Sequence, residues 1–287
     1  MTATADMVSV IVATRNREPV LRAHSQALLA QDAEHYELIY VDDGSTDGTP
    51  QVLGELAAAH PERMRTAAGP GQGPGVARNV GSRMARGSYL LFTDDDVLVP
   101  PDWISGMRAL QAQYGCEAVS GGFVPASMAT KVEQYLHYRM RLLFGDASKR
   151  VKAAPMMSFL VRRDSFERVG GFANEPLLAL EDWDLCWRLS EAGAVIQYDP
   201  RVRVTHQYQS EWEPALARLR ETARTSVRLF RKHHRSMARF LLKATIKWAA
   251  SPLWSLMYYP VTLYGLSLKA EWGFYRECLR ELRKNGK

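Results

Sequence analysis

Tyr89-Leu90-Leu91-Phe92-Thr93-Asp94-Asp95-Asp96 is the stretch that decides the fold. Gly87-Ser88 marks its start, and its apolar run stops abruptly in three carboxylates. The run does not alternate, as expected of a strand covered on both faces in a parallel α/β sheet. Ligands of such sheets bind outside the carboxyl ends of the strands, where these aspartates fall. Left to themselves, Asp94, Asp95 and Asp96 repel one another and resist desolvation. A divalent cation carrying a phosphorylated substrate would remove that cost. A solvated turn is the plainer alternative, and a D-x-D by itself does not separate the two.

The residues before this strand repeat its grammar. Residues 8–13 (Val-Ser-Val-Ile-Val-Ala) predict a strand ending in Thr14-Arg15-Asn16-Arg17, with a helix following through Leu21, Leu28 and Leu29. Residues 36–41 predict a second strand that runs into Asp42-Asp43-Gly44-Ser45-Thr46-Asp47. Thr49-Pro50 then opens a helix through Val52, Leu53 and Leu56. Strand, loop and helix in turn imply right-handed crossovers and a largely parallel sheet with helices on both faces. Residues 69–75 (Gly-Pro-Gly-Gln-Gly-Pro-Gly) form a loop that either offers bare backbone to a ligand or merely connects. Residues 76–86 read as a helix with Val76, Val80 and Met84 on one face and Arg78 and Asn79 on its other sides. Further strands are expected at 118–124, 156–161 and 195–204, with a helix over 128–144.

A second acidic cluster opens Glu181-Asp182-Trp183-Asp184-Leu185-Cys186-Trp187-Arg188-Leu189, a helix closed by Gly193. Helical period puts Asp182 on one face with Leu185, Cys186 and Leu189, and Glu181, Asp184 and Arg188 on another. Asp184 and Arg188 fit a surface pair four residues apart. A helix dipole accounts for an acid in the first turn, but not for one on the apolar face, which marks Asp182 as a functional candidate. His206 follows a predicted strand. Alone it reads as structural; beside two aspartates at a cation it would serve as a third ligand.

Composition sets the bounds. The chain has 287 residues, 46% of them hydrophobic and 24% charged, enough for a real core in one large domain or a domain plus an appendage. Its three cysteines are widely spaced and odd in number, so neither a disulfide framework nor a zinc site is expected, and a reducing, cytoplasmic compartment is. Residues 1–7 lack a basic stretch followed by an apolar one, so no secretory signal is expected. The net charge of +6 is unevenly placed, with basic residues concentrated after position 215.

Taken in order, the segments at 9–16, 41–47, 77–79 with 87–89, 93–96, 162–172 and 181–189 resemble the family 2 inverting glycosyltransferases of GT-A fold. Any one segment is weak; the ordered set, spanning about residues 7–206, is specific. By that resemblance Thr14, Arg15 and Asn16 line the nucleotide site, Asp43 with Asp42 holds the donor's base, and Arg78 and Asp95 lie near the nucleotide. Asp94 and Asp96 match the D-x-D pattern that holds Mn²⁺ or Mg²⁺ on the diphosphate, and Asp182 matches the catalytic base. Many relatives carry Tyr where Arg15 stands; a guanidinium plane can stack as that ring does. The resemblance implies transfer of a sugar from a nucleotide-diphosphate sugar, UDP-linked on family grounds. A nucleotidyltransferase, or a non-catalytic nucleotide-sugar binder acting as a membrane scaffold, stands as the alternative.

The expected division places this catalytic domain at residues 1–211 and a basic, aromatic-rich helical tail at 212–287. In the tail Leu216, Leu219, Ala223, Val227 and Phe230 fall at helical steps beside a stripe of Arg220, Arg224, Arg228, Lys232 and Arg235. Residues 248–268 carry no charge, but Pro252 and Pro260 argue against a straight span, and flanking Lys247 and Lys269 suit an interfacial segment. An anionic membrane surface, the inner face of the cell membrane, is the expected partner, with a glycan or lipid-linked saccharide as acceptor. No nucleic-acid motif accompanies the basic helix, so no nucleic-acid partner is expected.

Overall fold

The computed structural model describes residues 4–175, 177–233, 245 and 263–284. The chain packs as two compact units. The first takes the chain to Val124, then Asp146–Leu177 and Glu181–His206; the second takes Pro125–Gly145, Leu178–Leu180 and the chain from Gln207.

The first unit is built on a nine-stranded sheet. Its strands are β1 (Thr4–Thr14), β2 (Tyr36–Asp42), β3 (Met64–Ala68), β4 (Gly87–Asp94), β5 (Val97–Leu98), β6 (Ala118–Pro125), β7 (Lys149–Arg150), β8 (Phe159–Arg162) and β9 (Ile196–His206). The order is β3-β2-β1-β4-β8-β6-β9-β5, with β7 on β9. The run β3-β2-β1-β4 is parallel, as the crossover pattern requires. Beyond β4 the pairings β4–β8, β8–β6, β9–β5 and β9–β7 are antiparallel, so the sheet is mixed rather than largely parallel. The helices of this unit are α1 (Glu18–Leu29), α2 (Thr49–Ala59), α3 (Pro74–Met84), α4 (Trp103–Tyr114), α6 (Arg163–Arg168) and α7 (Glu181–Glu191).

The register brings the strand ends level. Thr14 pairs with Asp42, and Ala13 with Asp94, so three neighbouring parallel strands finish in polar groups along one edge. Beneath that edge the sheet is dry: Val10, Ile11, Val12, Leu38, Ile39, Tyr40, Val41, Leu90, Leu91 and Phe92 are fully buried. Phe92 packs on Phe166 and Phe172 at ring distances of 5.5 and 5.2 Å, which anchors the loop before α7 to the central strand. Helix α3 lies close on the sheet because Gly81 has no side chain; a Cβ there would sit 2.7 Å from Ile11 Cγ2.

One helix departs from its expected orientation. The buried side of α3 carries Gly75, Ala77, Arg78, Asn79, Gly81 and Ser82, while Val76 and Val80 are only partly buried. Arg78 and Asn79 therefore point inward. Asn79 is tied by both ends to Phe172, whose backbone N–H it accepts at 2.9 Å and whose C=O it donates to at 2.9 Å.

The second unit is helical among its described residues. It contains α5 (Lys131–Phe144), α8 (Trp212–Lys232) and α9 (Tyr264–Lys284). Thr130 and Glu133 form a reciprocal capping box that starts α5. Tyr135, Leu219, Leu263 and Ala270 form one apolar cluster, and Ala223, Val227 and Cys278 another. Arg224 pairs with Glu277 at 2.8 Å and Arg228 with Glu281 at 3.1 Å, so these members of the basic stripe face a partner helix. Among the described residues no helix is long and apolar enough to cross a membrane. Arg235 and residues 248–262 of the expected interfacial segment lie outside the described residues.

Candidate active site

The site lies at the carboxyl ends of β1, β2 and β4, and two loops there are laced together. Asn16 adopts φ 54°, a left-handed conformation that Asn tolerates better than most residues. Its N–H donates to Ser45 Oγ at 2.8 Å, and its side-chain oxygen accepts the Thr46 N–H at 2.8 Å. Asp42 accepts from the Ser45 N–H and hydroxyl. Arg15 is exposed on the rim, and Thr14 is buried beneath it.

Asp43 is only 4% exposed and faces the glycine loop, not open solvent. Its two oxygens accept the N–H groups of Gly71 and Gly73 at 2.8 and 2.7 Å. Both glycines have positive φ, 70° and 100°. A Cβ on Gly69 would lie 2.8 Å from Asp43 Oδ1. The glycines are thus required by the wrapping of backbone around a carboxylate, and Asp43 organises the floor of the site.

Arg78 bridges the two acidic clusters. Nη2 donates to Asp94 Oδ1 at 2.6 Å and Nη1 to Glu181 Oε1 at 2.9 Å, while Nε is buried with no hydrogen-bond partner among the described residues. Burial opposes its charge, but Asp94 and Glu181 outweigh that and hold its pKa above the ordinary value. Gly75 permits the approach, since a Cβ there would meet Glu181 Cβ at 3.2 Å. Glu181's part is invisible in the sequence, because its partner is 103 residues away.

Asp182 follows at the start of α7, after Leu180 with φ 60°. It keeps an edge to solvent and accepts the Trp183 N–H at 2.9 Å. Burial of the rest of the carboxyl, with the Glu181 charge adding, pushes its pKa up to about 8. Asp184, expected on the surface, is fully buried. It pairs with Arg188 at 2.7 Å, and Arg188 also donates to the carbonyls of Val169 and Gly171, tying α7 to the turn before it.

The turn after β4 is held by a residue that sequence reading passed over. Arg17 Nε donates to Asp95 Oδ1 at 3.0 Å, and its Nη2 lies 3.6 Å from Asp96 Oδ2. The pairing of Val97 with His206 brings the end of β9 beside this turn, with His206 Nε2 3.6 Å from Asp96 Oδ1. That Asp96 oxygen is buried and takes no hydrogen bond among the described residues. Burial, then the charges of Asp94 and Asp95, push Asp96 up to about 7 against the pull of Arg17. Burial raises Asp95 as well, with Arg17 and Thr14 opposing. Among the described residues no three His, Cys, Asp or Glu side chains close around a point as a finished metal cage. Instead Asp94 is turned to Arg78, and Asp96 lies between Arg17 and His206.

A sheet whose parallel strands end in an acid turn, faced by a carboxylate-bearing helix start, is a GT-A domain. The chain belongs to glycosyl transferase family 2, whose pattern matches residues 9–170, more than half of its length. It is similar to the pre-mycofactocin glycosyltransferase of Mycobacterium tuberculosis, 28% identical over 222 residues, 74% of this chain and 45% of that one. It is also similar to glycosyltransferase AglE of Haloferax volcanii, 28% identical over 67% of this chain and 64% of that one. The chain thus spans about half to two thirds of the length of these relatives. In structure it resembles the mannosyltransferase PcManGT of Pyrobaculum calidifontis, solved with GDP-Man and Mn²⁺, at a TM-score of 0.71 and 20% identity over 98% of this chain and 88% of that one. It also resembles S. aureus TarS 1-349, solved with UDP-GlcNAc, at a TM-score of 0.58 and 17% identity over 97% and 92% of the two chains.

Proposed function

We propose that this chain is a metal-dependent inverting glycosyltransferase that moves a sugar from a nucleotide-diphosphate sugar to a hydroxyl of a lipid-linked or cell-surface glycan. The observation that carries the proposal is an acid turn with a buried, hydrogen-bond-free Asp96 oxygen, at the same sheet end as Asp182. Such an oxygen costs free energy unless something occupies the space before it. Carboxylates with one imidazole form a donor set that suits Mn²⁺ or Mg²⁺, so the residues fit the ion, and Asp94, Asp96 and His206 would hold it. When bound, the ion supplies charge neutralisation for the departing diphosphate.

The remaining work belongs to the chain's own side chains. Asp182 accepts the proton of the acceptor hydroxyl as its oxygen attacks the anomeric carbon, opposite the breaking bond to the diphosphate, which inverts that carbon. Burial, with the Glu181 charge adding, raises this carboxyl to about 8, which makes its ionised form a stronger proton acceptor than an ordinary carboxylate. Arg78 places positive charge between Asp94 and Glu181 and so joins the diphosphate end of the site to the base. Thr14, Arg15, Asn16, Asp42, Asp43 and Asp95 shape the nucleotide side. The two structural neighbours are solved with GDP-Man and with UDP-GlcNAc, and for this chain we take UDP. Residues 1–211 would carry the catalytic work and 212–287 the placement of the enzyme.

For that placement we propose an anionic membrane surface at the inner face of the cell membrane. Arg224 and Arg228 are engaged within their own unit, so the outward side of α9 is the better candidate. It exposes Lys269, Trp272, Arg276 and Arg283, a cationic row around an interfacial ring. Co-sedimentation with vesicles containing acidic phospholipid should retain the protein at low salt, and Lys269→Glu with Arg276→Glu should release it. Equal recovery on neutral vesicles would refute this placement. The catalytic proposal is tested by following sugar release from UDP- and GDP-linked donors with Mn²⁺ and with EDTA. Transfer or slow hydrolysis that needs the ion supports it; turnover unaffected by EDTA refutes it.

A further inference from the structure

We propose that Arg17 is a resident counter-ion of the acid turn, displaced when a divalent cation and a diphosphate arrive together, so that each binds better in the presence of the other. The inference rests on the metal reading above and adds a residue to which the sequence motifs assign no role.

The geometry is that of a cation fixed at its backbone with a partly exposed head. The Arg17 backbone N–H is fixed by Thr49 Oγ1 at 2.8 Å, and its carbonyl accepts from Val20 and Leu21 at the start of α1. Its side chain is 39% exposed, yet its guanidinium reaches across 78 residues of sequence to Asp95, and on to Asp96. Asp96 divides its two oxygens accordingly, Oδ2 toward Arg17 and Oδ1 toward His206. Arg17 is therefore the arginine that faces Asp95 and Asp96 when only protein is present, as Arg78 faces Asp94. Arg78, the other arginine of the site, is committed at both Nη atoms and only 4% exposed, so it has no comparable freedom.

A divalent ion that takes Asp96 meets Arg17's positive charge a few ångströms away, and like charges in a half-buried site repel strongly. Alone, the ion must push the guanidinium into water. With a diphosphate present, Arg17 gains a partner whose oxygens match its parallel N–H donors. Cation and diphosphate then share one displaced residue, which couples their affinities, and the coupling is reciprocal. The consequence for catalysis is that the ion is retained with donor and loosened after the nucleotide leaves.

The test measures Mn²⁺ affinity directly, by electron paramagnetic resonance of free Mn²⁺, on the full chain with and without UDP. Wild type should bind Mn²⁺ at least tenfold more tightly with UDP. Arg17→Ala should bind Mn²⁺ alone at least tenfold more tightly than wild type, and the gain from UDP should then be at least threefold smaller than in wild type. Arg17→Gln keeps a donor to Asp95 without the charge and should behave as Arg17→Ala does; Arg17→Lys should fall near wild type. Thermal unfolding in EDTA checks that each variant is folded, and the Gln and Lys pair decides the matter if the Ala variant is not. Arg17→Gln binding Mn²⁺ alone no more tightly than wild type, or keeping the full UDP effect, overturns the proposal. Wild type that binds no Mn²⁺ with either UDP or GDP would instead overturn the metal reading itself.

Discussion

The two units treat charge in opposite ways. In the helical unit two buried acids of α9 each meet an arginine of α8: Glu277 with Arg224 and Glu281 with Arg228, the acids 6% and 5% exposed at the side chain. At the sheet end Asp94, Asp95, Asp96, Glu181 and Asp182 share Arg17 and Arg78, and two of the carboxyls are driven up to about 7 and 8. Paired charges fix a helix interface. Charges left short of partners mark a place where stability has been given up for a ligand. The contrast locates function without reference to any relative.

The largest effect expected from breaking it is on turnover. Asp182→Asn should leave donor affinity within about twofold and reduce transfer by roughly a hundredfold or more, read by single-turnover kinetics beside calorimetry. Normal turnover by that variant would remove Asp182 from the role of base.

Asp96→Asn should separate stability from function. Deleting one of the crowded carboxylates should stabilise the ligand-free protein by on the order of 1 kcal/mol while Mn²⁺ affinity falls at least about tenfold. Denaturant unfolding and Mn²⁺ titration of the same sample check both signs.

Acidity provides a third test. Asp96 at about 7 and Asp182 at about 8 both lie above the unfolded Asp value of about 3.9, so the folded protein holds protons that the unfolded chain has released. Their contribution is fully present at the acid end and is lost as pH climbs from about 4 to about 8. The melting temperature of the ligand-free protein should therefore fall across that window, and Asp96→Asn with Asp182→Asn should flatten the fall. The smallest effect belongs to the ladder. Arg224→Ala should cost about 1 kcal/mol by leaving Glu277 short of a partner, with no change in Mn²⁺ affinity.

Sequence reading reached the frame of the site and missed its wiring. β1, β2 and β4 were legible because both faces are covered and each run ends in polar residues at the ligand edge. β3 was not, since Met64-Arg65-Thr66-Ala67-Ala68 is a short edge strand with little apolar signal. The inward face of α3 was misread because Arg78 and Asn79 look solvated until Asp94, Glu181 and Phe172 are placed around them. The surface role expected for Asp184 failed for the same reason: its partner arginine also holds two backbone carbonyls of the preceding turn. Asp43 and the glycine loop were each visible in the sequence, but their embrace is a tertiary event across 28 and 30 residues. Arg17 stood in plain view beside Asn16, and only the folded turn shows what it grips.

The most direct test is a calorimetric titration of the wild-type chain with UDP-linked and GDP-linked sugars, once with Mn²⁺ and once with EDTA. Binding of at least one nucleotide sugar that weakens about tenfold or more in EDTA is the result expected if the crowded carboxylates exist to receive an ion and its diphosphate. Equal affinity in both buffers, or no binding to any nucleotide sugar under either condition, would contradict it.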